Sequence, residues 1–74
     1  MKYAVVYYND YDFGVEATMF SDLHEAQNYM KKEFNDISDY KKDLVTDNWC
    51  DNYDAIVNCD DENDCWKIVI PKTA

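Results

Sequence analysis

SDLHEAQNYMKKEFNDI, residues 21–37, is the stretch on which the fold turns. Leu23, Ala26, Met30, Phe34 and Ile37 are spaced 3, 4, 4 and 3 residues apart. That period places them in one apolar stripe along an α-helix, with polar residues on the other side. Ser21 or Asp22 supplies the N-cap, and Asp22 with Glu25 three residues on resembles a capping box. The stripe has nothing to face unless the flanking segments build a surface for it.

They read as strands. KYAVVYY (residues 2–8) is rich in β-branched and aromatic residues and apolar on both faces, as expected of an inner strand. NDYDFG (9–14) is turn-like, and VEATMF (15–20) pairs back as a hairpin. After the helix, YDAIVNC (53–59) and CWKIVI (65–70) form a closing hairpin around the loop DDEND (60–64). Pro71 ends the last strand, because it has no N–H for the ladder. The expected architecture is a single α+β domain over residues 1–74, ordered ββαββ. A mostly antiparallel four-stranded sheet packs on one main helix. The helix continues or restarts through Tyr40 and Leu44, and stops near residues 46–48, where Thr-Asp-Asn favours a turn.

Between helix and closing hairpin lies DISDYKKDLVTDNWCDNYD (36–54). Its aspartates at 36, 39, 43, 47, 51 and 54 recur every three or four residues. If 36–47 is helical, Asp36, Asp39, Asp43 and Asp47 share a narrow sector beside the apolar stripe. Residues 36–64 hold ten acids against Lys41 and Lys42, a net of −8, in a chain whose total is −9. Like charges at i,i+4 cost a helix a few tenths of a kcal/mol per pair, roughly. Two readings stay open: a solvated face of an acidic protein, or a surface that binds something basic. On the second, the candidate binding residues are Asp36, Asp39, Asp43, Asp47, Asp51, Asp54, Asp60, Asp61, Glu62 and Asp64, with the interleaved aromatics Tyr40, Trp49 and Tyr53 as anchors.

Composition narrows the classes. Hydrophobic residues are 47% and aromatics 16%, so the chain folds rather than trailing as an acidic tail. With seven lysines and no arginine, direct nucleic-acid binding is disfavoured. No apolar run is long enough for a membrane span, no signal-peptide pattern opens the chain, and an odd cysteine count suits the reducing cytosol. The only histidine is His24, at the helix start, and the one glycine excludes a phosphate loop. No catalytic residue, cofactor or metal site is assigned, and an enzyme is not expected. Asp10 with Asp12, and Asp60, Glu62 and Asp64, alternate as calcium ligands do, but neither set has both the central glycine and the distal glutamate. Cys50, Cys59 and Cys65 lack zinc spacing, and three free thiols are expected. Cys59 and Cys65 flank the last loop, from where they could pair across the hairpin if oxidised.

One tiny acidic domain with an aspartate stripe, interleaved aromatics and no catalytic set resembles the small phage-encoded anti-defence proteins, in particular the anti-CRISPR class, in overall character over the whole chain. The resemblance implies a stoichiometric inhibitor in the bacterial cytoplasm. It would imitate nucleic acid and occupy a basic nucleic-acid or PAM-reading surface of a CRISPR effector. The alternatives are an acidic adaptor or regulatory domain binding through an apolar surface, and a calcium-binding module.

Overall fold

The computed structural model describes residues 2–11, 14–59 and 62–70. Strands β1 (Tyr3–Asn9) and β2 (Gly14–Phe20) form the first hairpin, and helix α1 (Leu23–Tyr40) follows. Then come β3 (Val45–Cys50), β4 (Asp54–Cys59) and β5 (Asn63–Val69). The sheet has five strands in the order β2-β1-β5-β4-β3, and every neighbouring pair is antiparallel. β2 and β3 are its two edges, so α1 leaves one edge and delivers the chain to the other, crossing one face.

The apolar stripe is the core. Ala26 and Met30 are fully buried, and Leu23, Phe34 and Ile37 flank them. They pack on the inward positions of the inner strands, Val5, Ala55, Val57, Trp66 and Ile68. Trp66 sits at the centre, with Tyr7 at 5.2 Å between ring centroids and Phe34 edge-on at 6.3 Å. Asp22 is the N-cap, and its carboxylate accepts the His24 N–H at 2.9 Å.

Two expectations need correction. The sheet has five strands, in the order ββαβββ, where four in ββαββ were expected. The extra strand, β3, comes from residues read as helix continuation and turn. α1 stops at Tyr40, and Lys41 forms its C-cap, donating its N–H to the Ile37 carbonyl at 2.9 Å. Leu44 and Val45 both donate back to the Lys41 carbonyl, reversing the chain into β3. Aspartate spacing could not hold the helix, because aspartate is a mediocre helix former and like charges a turn apart repel. The edge of β4, by contrast, offers a whole row of backbone partners to Val45–Cys50. Thr46, expected in a turn, is taken up at a register shift between Val45 and Asp47, and its hydroxyl donates to the Asn58 carbonyl at 3.1 Å. Asn48 reaches from β3 to the Ser38 hydroxyl on α1 at 2.7 Å, fixing the new strand against the helix.

The last loop is also shorter than expected. β5 begins at Asn63, so Asn63 and Asp64 belong to the ladder. The expected end at Pro71 lies outside the described residues, as do Asp12, Asp60 and Asp61. The register places Ile56 opposite Cys65, and the Cys59 N–H bonds the Glu62 carbonyl. Cys59 and Cys65 therefore do not face each other across the hairpin.

Candidate functional site

The acids expected to share one helical sector are distributed over three elements. Asp36 and Asp39 are exposed on the last turns of α1, and Asp43 is exposed in the turn that follows. Asp47 is exposed on β3, opposite Asn58, on the sheet face away from the helix. Asp51 is exposed just beyond β3. Its carboxylate accepts the N–H groups of Tyr53 and Asp54, both at 2.8 Å, and these bonds hold it below the ordinary carboxylate range. Tyr40 is 82% exposed, and Trp49 and Tyr53 are both 44% exposed. Asp54 is half-buried on the outward sheet face, opposite Lys67 on β5.

Glu62 and Asp64 are the exception, and they correct the expectation for the last loop. Asp64 alternates with Trp66 and Ile68 along β5, so it points into the core and is fully buried. A buried carboxylate requires compensation, and Lys41 supplies it from the end of α1. The Lys41 ammonium lies 2.7 Å from Asp64 Oδ2 and 2.5 Å from Glu62 Oε1. Tyr7 donates its hydroxyl to Asp64 Oδ1, and Asn9 Nδ2 donates to the same oxygen at 2.7 Å. Burial pushes the Asp64 carboxyl up, but the bonds from Lys41, Tyr7 and Asn9 outweigh it and leave it below the usual range. Burial likewise opposes the Lys41 charge, and its two carboxylates more than reverse this, raising it. Tyr7 is pushed well up by burial and by the Asp64 charge. None of these shifts brings a group toward neutrality, where a general acid or base works best. The cluster is a lock joining α1, β1 and β5.

This lock changes the surface charge. It takes Lys41 out of the acidic segment and sets its one positive charge against Glu62 and Asp64, which leaves the cluster at a net of −1. Over residues 36–51 the exposed charges are then Asp36, Asp39, Asp43, Asp47 and Asp51 against Lys42 alone. Counting charges along the chain missed the lock. The signal was present in strand parity: Asp64 falls in step with Trp66 and Ile68, and Tyr7 and Asn9 in step with Val5.

A second surface lies on the other side of the sheet, which α1 leaves bare. Antiparallel sheets with one free face usually turn polar side chains outward. Here the register lines up Trp49, Ile56, Cys65, Tyr8 and Val15 in one cross-strand row on that face. A shallow depression of about 320 Å³ opens among Val6, Tyr8, Trp49, Ile56, Cys65 and Lys67.

The remaining candidates carry little chemistry. His24 is exposed. Burial raises the thiols of Cys50 and Cys65, and the charges of Asp10 and Asp64 push Cys65 further. Both oxygens of Asp10 are taken by Asn63, at 2.7 Å from its N–H and 2.8 Å from its amide. Among the described residues, no three acids, cysteines or histidines converge as metal ligands, and no helix is long and apolar enough to cross a membrane. No protein-family model, curated protein or solved structure matches the chain.

Proposed function

We propose that this protein is a non-enzymatic inhibitor that occupies a basic protein surface. The surface would be of the kind with which a bacterial defence nuclease, such as a CRISPR effector, holds nucleic acid. The observation that carries this reading is the withdrawal of Lys41. The segment richest in acids also contains the lysine best placed to neutralise them, and that lysine is only 14% exposed. What remains outside is a run of carboxylates from the end of α1, through the turn, to β3. A lysine- and arginine-lined groove would be attracted to such a run over a distance of about a Debye length, roughly 10 Å at 0.1 M salt.

Asp36, Asp39, Asp43 and Asp47 sit on three elements, so any imitation of nucleic acid comes from the shape of the whole edge and not from one helix face. Tyr40, on the last turn of α1, is exposed among these acids and is the aromatic best placed to anchor the contact. Calcium is disfavoured, because Asp10 and Asp64 are already committed to Asn63 and to the Lys41 lock.

Capture of binding proteins from bacterial lysates at low salt, followed by their identification, supplies the partner. Changing Asp36, Asp39, Asp43 and Asp47 together to asparagine should then weaken binding by orders of magnitude while the fold is retained. Single changes should each cost only about 0 to 1 kcal/mol unless one meets a desolvated arginine. The partner's own nucleic acid should displace the protein. Unchanged affinity of the quadruple variant at both low and high salt defeats the proposal.

A further inference from the structure

The bare sheet face is as unlike the acidic edge as a surface of this chain can be. Helix α1 covers one side of five strands and leaves the other open. Near the middle of that open side, Asp54 on β4 and Lys67 on β5 stand directly opposite one another. Val6 continues the same row on β1, and the next row carries Trp49, Ile56, Cys65 and Tyr8. Apart from that pair, the charged residue in the strand register on this face is Asp47, on the edge strand β3.

We propose that this face docks a second copy of the chain, sheet against sheet, as a two-fold symmetric dimer. Charge selects this occupant. A basic partner would leave Lys67 facing its own kind, and an acidic partner would do the same to Asp54. The fitting partner presents the pair in reverse order. A second copy does so by symmetry if the two-fold runs along the strands between β4 and β5. That axis exchanges the two strands, so Lys67 of each copy lies over Asp54 of the other.

The same axis brings β3 of one copy over β1 of the other. Levels along the strands are preserved, and Trp49 shares its level with Tyr8. Each indole then enters the depression beside the other copy's Tyr8 and Val6. Trp and Tyr are the residues that most often anchor interfaces when enclosed in this way. Asp47 falls two residues beyond Trp49, at the rim, where solvent screens it. Among the described strands no other charge is in register on this face, which suits a chain of net −9 that meets itself.

Area sets the strength. The axis stacks four strands of each copy and leaves β2 overhanging. At about 4.8 Å apart and about 24 Å long these give roughly 460 Å² of plane, so two copies bury on the order of 900 Å². That is in the range of weak, transient interfaces, so the dimer is reversible and grows with concentration. Asp36, Asp39 and Asp43 remain free in it while Asp47 lies at its rim, and the inhibitor reading neither requires the dimer nor is required by it.

Sedimentation equilibrium on the isolated chain tests the proposal without any target protein. The weight-average mass should rise from monomer to dimer between about 10 µM and about 1 mM. Trp49→Lys, at a position already largely exposed, should weaken the dimer about tenfold or more. Lys67→Asp should weaken it as well, and adding Asp54→Lys should restore it. Circular dichroism of each variant reports whether it is folded. For the unmodified chain, amide shifts that change on dilution should fall on the outward positions of β1, β4 and β5. A monomer at every concentration overturns the proposal, and reserves the face for a different protein. A dimer indifferent to Trp49→Lys overturns it, as do dilution shifts confined to α1 or to the outer edges of β2 and β3.

Discussion

Replacing Lys41 by methionine removes the one cation from the buried cluster while keeping most of the side-chain bulk. Asp64 is fully buried, and its other two donors, Tyr7 and Asn9, are neutral. Breaking a buried ion pair from one side costs about 3–5 kcal/mol, because an uncompensated charge is left behind. A chain of 74 residues has a total stability of about 4–11 kcal/mol, from about 0.05–0.15 kcal/mol per residue. The single change therefore consumes about a quarter of the stability or more. Asp64→Asn in the same chain should recover part of the loss, since an amide keeps partners in Tyr7 and Asn9 without a buried charge. A double-mutant cycle should give a coupling of about 1–3 kcal/mol. Urea unfolding followed by circular dichroism, with fluorescence from the buried Trp66, measures all four corners. Acidity provides a second arm. Without Lys41, desolvation raises the Asp64 carboxyl above its unfolded value. The penalty in Lys41→Met should then shrink as pH falls through that raised value, where the carboxyl becomes neutral. A cost below about 1 kcal/mol, additive with Asp64→Asn and independent of pH, would refute the lock, since a mutation at a surface lysine costs no more than that.

The other predictions concern packing, titration and reactivity. Phe34→Ala should cost about 3 kcal/mol, the low end for a large aromatic, because Phe34 is half-buried against Trp66; an unchanged urea midpoint would remove it from the core. In the unmodified chain, Asp64 is held below its unfolded value of about 3.9, so its contribution is complete above that pH and lost as pH falls through the lower folded value. Lys41 and Tyr7 are held above their unfolded values of about 10.4 and 10, so theirs are complete below pH 10 or so and lost as pH rises through the higher folded values. Thermal unfolding across pH should accordingly show a loss below about pH 4 and another above about pH 10. Cys50 and Cys65 should alkylate more slowly at pH 8 than free cysteine, as peptide mass mapping would show, because burial suppresses their thiolates.

The stripe from Leu23 to Ile37 and the hairpin of β1 and β2 could be read from the sequence, because their apolar periods are local and each matches the element it forms. The surplus of acids in residues 36–64 could be read too, since charge is a sum and needs no geometry. The fate of residues 41–50 could not. Aspartates four apart suggested a helix, yet those residues went to the open edge of β4, whose backbone partners come from a segment later in the chain. Lys41 shows the same limit at one side chain. In sequence it is one lysine among acids, and its burial follows only once β5 turns Asp64 inward beside Tyr7 and Asn9. The sequence alone thus determined the core and the sign of the surface charge. Tertiary structure decided which charges reach solvent and that one sheet face stays bare, because both depend on contacts between residues far apart in the chain.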